Sequence, residues 1–243
     1  MLRTLGVIPA RYGSTRFPGK MLADINGKPL FIWTYDGAKK ARKLDHLIVA
    51  TDDERIADVA ERHGIDVMMT SPKCRSGTER TAEVAKNLTF YDVVINIQGD
   101  EPMIKSEFID QLIEVFEANP QIEMATITTH IRTKRQWYNP NVVKVVTDIN
   151  GFALYFSRSP IPSENTEYFP PRKHIGIYGY RRETLLRLAE LEPTPLELAE
   201  KLEQLRAVEN GIKIFCLDIP EAKDLISVDT IEDIELVKKF LHD

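Results

Sequence analysis

Cysteine is nearly missing from this chain: 243 residues contain two, Cys74 and Cys216, in unlike contexts and without metal-ligand spacing. That excludes a disulfide scaffold and fits the reducing cytoplasm, which is the expected location. A chain this long buries roughly 70–75% of its unfolded surface and needs no such staples. No apolar run approaches the ~20 residues of a membrane span, so no membrane partner is expected. Residues 1–5 lack the basic region and long apolar stretch of a secretory leader, and none is expected. Twelve glycines, 14 prolines and 43% hydrophobic residues exclude collagen and low-complexity disorder. The most informative absence is of acid at the start. Residues 1–23 hold Arg3, Arg11, Arg16 and Lys20 but neither Asp nor Glu, a local +4 within a net −5, so the other 220 residues carry −9. An acidic whole argues against a nucleic-acid partner. A cationic first loop argues for a small anion.

Short β-rich apolar runs alternate with helix-period segments, the mark of an α/β fold with a doubly wound, mainly parallel, Rossmann-like sheet. The pattern predicts strands over 5–9, 46–50, 66–69 and 93–98, and helices over 30–43, 54–63, 77–88 and 106–118. Residues 93–98 are almost continuously apolar, as expected of a buried central strand. Nothing regular is assigned between 119 and 141. Beyond it, strand-like runs 142–147 and 152–157 flank Asn150-Gly151, a strong hairpin signal. Strands over 174–180 and 212–217 and helices over 182–191, 195–210 and 230–241 complete the pattern. With neither repeat nor flexible linker, a single domain spanning 1–243 is expected, carrying a small hairpin-bearing insertion at about 130–180.

The loop after the first strand, Gly6-Val7-Ile8-Pro9-Ala10-Arg11-Tyr12-Gly13-Ser14-Thr15-Arg16-Phe17-Pro18-Gly19-Lys20, holds the most chemistry. Open α/β sheets bind ligands outside the carboxyl ends of their strands. Gly13 and Gly19 permit close backbone approach, and Arg11, Arg16 and Lys20 offset most of the charge of a nucleoside triphosphate. Neither G-x-G-x-x-G nor a P-loop is present: five residues separate Gly13 from Gly19, and Met21 stands where a P-loop has Ser or Thr. The same composition also describes an ordinary basic surface loop.

Two carboxylates stand at candidate sheet-edge positions: Asp100, in Gln98-Gly99-Asp100-Glu101-Pro102, and Asp229, in Ser227-Val228-Asp229-Thr230. Transfer at a phosphate brings a nucleophile to an anion, and a hard cation on one or two carboxylates is the usual remedy. If the two meet, they share Mg²⁺; otherwise Asp100 is a turn former and Asp229 a helix-start residue. In the rear half, Arg158 suits bidentate capture of a carboxylate, while His174 and the pair Glu203-Gln204 suit hydroxyls. Adjacent helix residues lie about 100° apart, so Glu203 and Gln204 are not expected to face one site squarely.

Taken together, Ile8 to Lys20 resembles the N-terminal signature of the 3-deoxy-manno-octulosonate cytidylyltransferases (CMP-Kdo synthetases). The likeness continues through Ala50-Thr51-Asp52, Ser76-Gly77-Thr78-Glu79-Arg80, Gln98 to Pro102, Asn139 to Val146, Ala153 to Arg158, His174 to Tyr180, Leu202 to Arg206 and Val228-Asp229-Thr230, in family order. The resemblance implies a nucleotidyltransferase fold and a cytoplasmic homodimer. It implies transfer of CMP from CTP to the anomeric hydroxyl of Kdo for lipopolysaccharide synthesis. By the same resemblance Arg11, Arg16 and Lys20 hold the triphosphate, and Asp100 and Asp229 ligate Mg²⁺. It further implies that Ala10, Gly13, Ser14, Ser76 and Gly77 contact CTP, and that Gln98, Arg158, His174, Tyr178, Glu203 and Gln204 surround the sugar. The 130–180 insertion then serves sugar binding and dimerisation. Two departures stand out: Lys73-Cys74-Arg75 precedes Ser76 where a His-Gln pair is common, and Leu225-Ile226-Ser227 replaces a Gly-rich approach to Asp229. The rival substrates are the 8-amino analogue of Kdo and sialic acid; a rival of another class is a non-catalytic nucleotide sensor.

Overall fold

The computed structural model describes residues 2–13, 17–163 and 170–241. Its contacts divide the chain into two compact units, residues 1–113 with 225–243, and residues 114–224.

In the first unit, β1 (Thr4–Pro9) is buried along its whole length and leads into the cationic loop. The two-residue strands β2 (Asp24–Ile25) and β3 (Lys28–Pro29) pair antiparallel across Asn26-Gly27, both at positive φ, the backbone that a tight hairpin turn requires. Helix α1 (Leu30–Ala38) is shorter than its apolar period suggested. The chain turns there because Asp110 captures the backbone N–H groups of Arg42 (3.2 Å) and Lys43 (2.9 Å), which a continuing helix would have used internally. Strand β4 (His46–Thr51), helix α2 (Glu54–Arg62) and strand β5 (Val67–Met69) follow their expected positions within a residue or two. Asp53 caps α2 by accepting from Arg55 N. Helix α3 (Gly77–Asn87) starts at the N-cap Ser76, whose hydroxyl accepts from Glu79 N at 3.1 Å. Glu79 carries its carboxylate to Arg75 N and Nε (2.7 and 2.6 Å). Strand β6 (Val93–Ile97) is buried throughout, and helix α4 (Ser106–Ala118) follows.

The strand order in this unit is β6-β1-β4-β5, all parallel. From β1 the chain steps outward to β4 and β5, then returns to the other side of β1 as β6. The direction of winding therefore reverses between β1 and β6, and such a reversal opens a crevice at the carboxyl ends of the two strands. Pro9-Ala10-Arg11 and Gln98-Gly99-Asp100 are those ends.

The second unit begins with an element the sequence pattern missed, β7 (Met124–His130), buried over six of its seven residues. Its run of threonines reads as polar, yet Thr126, Thr128 and Thr129 are buried with their hydroxyls on backbone carbonyls. Helix α5 (Lys134–Tyr138) was likewise unassigned. The hairpin of β8 (Lys144–Thr147) and β9 (Ala153–Ser157) forms around Asn150-Gly151 as expected, with a register shift between Val146 and Thr147. Strand β10 (Arg172–Arg181) pairs antiparallel with β7 and β8. Helix α6 (Arg182–Glu190) follows. The single helix expected over 195–210 is two helices, α7 (Pro195–Glu200) and α8 (Gln204–Glu209), because Lys201 turns left-handed (φ 55°). A buried bidentate ion pair from Arg206 Nε and Nη2 to Glu197 (2.8 and 2.6 Å) bolts the two together. Strand β11 (Ile214–Asp218) runs parallel to β7. The last helix, α9 (Ile231–Val237), returns to the first unit, capped by Thr230 with Asp233 completing the capping box. Among the described residues no helix is long and apolar enough to cross a membrane.

Candidate active site

The crevice between the ends of β1 and β6 is a cleft open to solvent, with a cavity volume of about 110 Å³. Pro9 and Arg11 border it from β1, Lys20 and Met21 from the first loop, and Ser76, Gly77 and Arg80 from the start of α3. Gln98 and Asp100 close the opposite wall. A side chain at Gly99 would be crowded: a Cβ there would lie 3.0 Å from Met21 Sδ and 3.1 Å from Pro9 O. The backbone behind Asp100 is thus pressed against β1, and Thr34 Oγ1 donates to Gly99 O at 3.0 Å.

The two sequence-distant carboxylates converge. Lys20 Nζ lies 2.6 Å from Asp100 Oδ2 and 3.4 Å from Asp229 Oδ1, and it donates to Val228 O at 2.8 Å. Val228 N donates in turn to Asp100 O at 2.9 Å, stitching the segment before α9 to the end of β6. Lys20 is the most enclosed of the three, with its side chain 8% exposed against 20% for Asp100 and 37% for Asp229. Two carboxylates and a carbonyl around one cation form a hard oxygen donor set. Among the described residues no group of three or more His, Cys, Asp or Glu side chains gathers for a metal. Two carboxylates are enough for Mg²⁺, which keeps several waters and takes its other ligands from substrate phosphates. Asp100 and Asp229 therefore fit such an ion.

Not every expected nucleotide contact lines the cleft. Arg11, Lys20, Ser76, Gly77 and Asp100 do. Ala10 is fully buried behind it, its N–H given to Ala50 O at 2.8 Å, and Gly13 is exposed in the loop. Ser14 and Arg16 lie outside the described residues. Gln98, expected on the sugar, borders this same cleft, with its Nε2 donating to Asn96 Oδ1 at 3.0 Å. Arg80 is a wall residue that sequence reasoning passed over. It is 2% exposed, paired to Asp52 at 2.9 Å and hydrogen-bonded to Thr70 Oγ1. Its position one turn into a helix capped at the cleft edge was the available signal. Cys74, one of the departing residues, donates to Glu83 at 3.2 Å; burial and that carboxylate push its thiol up to about 11, so it stays protonated and unreactive.

The other five expected sugar residues lie in the second unit. Arg158 donates Nε, Nη1 and Nη2 to the carbonyls of Glu200 (3.0 Å), Pro140 (3.1 Å) and Lys201 (3.4 Å), which takes three of its five N–H groups. Its N–H and the Ser157 hydroxyl both donate to the Glu200 carboxylate (2.9 and 2.6 Å). Lys144, fully buried, donates to the carbonyls of Asn139, Val142 and Arg158. His174 sits between the rings of Phe156 and Tyr178, each 5.2 Å away. Burial drops its pKa to about 3, so the ring is neutral. The Thr126 hydroxyl has one proton and places it on Ile177 O at 2.8 Å, so His174 Nε2–H is the donor in the 3.0 Å contact with Thr126 Oγ1. Burial raises the Tyr178 phenol well above its usual value, with the charges of Tyr180 and Glu203 adding to the effect. Glu203 is the N-cap of α8 and Gln204 its first residue; Glu203 already has helical dihedrals (φ −58°, ψ −33°), so the separation of about 100° expected between them applies. Gln204 is buried, and its Nε2 has no partner among the described residues.

The sequence profile of the cytidylyltransferases matches residues 5–214. A 3-deoxy-manno-octulosonate cytidylyltransferase from Fusobacterium nucleatum is 48% identical over 246 residues, covering 100% of this chain and 98% of that protein. One of the same name from Geobacter sulfurreducens is 46% identical over 243 residues, covering 95% and 96%. The chain belongs to the 3-deoxy-manno-octulosonate cytidylyltransferase family. A solved cytidylyltransferase structure, that of CMP:2-keto-3-deoxy-manno-octonic acid synthetase complexed with CTP, superimposes with a TM-score of 0.91 at 39% identity, covering 98% of each chain. The mixed α/β architecture, with its mostly parallel central sheet, is that of the cytidylyltransferases.

Proposed function

We propose that this enzyme transfers CMP from CTP to the anomeric hydroxyl of 3-deoxy-manno-octulosonate, giving CMP-Kdo and pyrophosphate for lipopolysaccharide synthesis. The observation that carries the reading is the meeting of Asp100, Asp229 and Lys20 at the mouth of the β1–β6 crevice. In the reaction the sugar hydroxyl releases its proton to solvent as its oxygen forms a bond to the α-phosphorus, the bond from that phosphorus to the bridging oxygen breaks, and the electron pair leaves on pyrophosphate. Arg11 and Lys20 bind the triphosphate and stabilise the charge that gathers on the leaving group. Arg16 joins them on the strength of the motif. Ser76 and Gly77 border the base and ribose side, where the N-cap geometry holds the turn rigid.

Asp100 and Asp229 would hold Mg²⁺, which when bound neutralises phosphate charge and lowers the pKa of the attacking hydroxyl. Gln98, Arg158, His174, Tyr178, Glu203 and Gln204 are assigned to the sugar, with Arg158 on its carboxylate. His174 acts there as a neutral hydrogen-bonding group, since its depressed pKa denies it a proton at neutral pH. A cytoplasmic homodimer, with residues from about 130 to 180 serving sugar binding and dimerisation, belongs to the same reading and rests on the motif resemblance.

Pyrophosphate release tests the substrate. Purified enzyme is incubated with CTP, Mg²⁺ and either Kdo, its 8-amino analogue or sialic acid. Kdo is expected to turn over fastest; release with another acid sugar and none with Kdo would reject the assignment.

A further inference from the structure

An ammonium has three N–H donors, and in Lys20 all three are matched by acceptors: Asp100 Oδ2, Val228 O and Asp229 Oδ1. A lysine so placed has no donor left for a phosphate. Its partners are also the two carboxylates assigned to the metal. Mg²⁺ binds oxygen at about 2.0–2.1 Å and demands near-octahedral geometry, so seated between these carboxylates it would compete with the ammonium for their oxygens. The two cations would also repel each other at contact distance in an enclosed corner.

We propose that Lys20 is the resting occupant of the cation position between Asp100 and Asp229, so that the divalent-cation site opens only when a nucleoside triphosphate draws the ammonium away. The inference rests on the reading of Asp100 and Asp229 as metal ligands and adds to it an order: nucleotide first, metal second. Removing a lone metal ion from two neighbouring carboxylates would leave them to repel. Lys20 keeps them paired instead and holds Val228 O as well. The exchange needs no refolding. The lysine stem has four rotatable carbons, and Lys20 borders the cleft that the triphosphate would enter. The phosphate then takes over the ammonium while the vacated oxygens receive Mg²⁺. Nucleotide and metal are therefore positively coupled, and each strengthens the other's binding by the same factor.

Mn²⁺ is the probe, with free ion counted by electron paramagnetic resonance in the absence of nucleotide. Lys20→Met and Lys20→Gln are expected to bind one Mn²⁺ about tenfold or more tightly than wild type, within the usual range of such couplings. Adding Asp229→Asn to either is expected to abolish the gain. Wild type binding Mn²⁺ as tightly as both variants would overturn the proposal. A second measurement needs no variant: the ¹⁵N ammonium resonance of Lys20 in wild type is followed as CTP is added with EDTA present. It is expected to shift; a resonance unmoved at saturating CTP would also overturn the proposal. The parent reading fails separately, if Asp100→Asn and Asp229→Asn keep full metal-dependent turnover. If they lose it while the Lys20 variants gain no Mn²⁺ affinity, only the exchange is wrong.

Discussion

Lys20 and Arg11 are cations of one loop with different surroundings. Arg11 is exposed at the end of β1, whereas Lys20 is buried against two carboxylates. Loss of a charge clamp on a transferring phosphate costs about 10³-fold or more in rate, so Lys20→Ala is expected to lower kcat by that order rather than only raise the KM for CTP. Steady-state kinetics at saturating CTP and Kdo separate the two outcomes. His174 offers a different measurement. Its unfolded-state pKa is near 6.5 and its native value about 3, so between those pH values the unfolded chain binds a proton that the native protein refuses. This group's contribution to stability is intact above pH 6.5 and falls with pH through that window, at about 1.4 kcal/mol per pH unit. Urea unfolding from pH 7 to 4.5 should show a shallower fall in His174→Gln than in wild type.

Elements were legible where apolar spacing and caps agree. The helices expected over 106–118 and from residue 77 are both where the pattern placed them. Ser76→Ala is expected to cost about 1 kcal/mol of stability, read as a shifted urea midpoint, and to loosen the cleft wall that α3 supplies. Strand β7 was illegible because threonine looks polar in a pattern, although its hydroxyl satisfies itself on neighbouring carbonyls once buried. The break at Lys201 was illegible for the opposite reason, since Lys is a good helix former and no local residue dictates a left-handed turn. Lys201→Val, a β-branched residue in that conformation, is expected to cost about 1–2 kcal/mol, whereas Lys201→Gly is expected to be tolerated. Comparing their urea midpoints checks the assignment.

At the scale of the whole chain, stability comes from two apolar units and owes nothing to disulfides; both cysteines are free, with the buried Cys216 thiol pushed up to about 12. Nor should stability depend on metal, because Lys20 already pairs with both carboxylates assigned to Mg²⁺. Treatment with EDTA is expected to abolish turnover and leave the Tm of the nucleotide-free protein unchanged. A lowered Tm in differential scanning calorimetry would point instead to a structural ion.

What the amino-acid order determined alone is local or compositional: the acid-free opening, the strand that feeds it, the caps, and the run of motifs that mark the family. These survive in a linear reading because each depends on residues a few positions apart. The active corner does not. Asp100 and Asp229 lie 80 and 209 residues from Lys20, and Arg80 meets its partner Asp52 from another element. Only the return of β6 to the far side of β1, with the segment before α9 stitched to its end, brings those charges within hydrogen-bonding reach. Charges interact through space, and chain separation carries no information about that distance until the sheet is assembled.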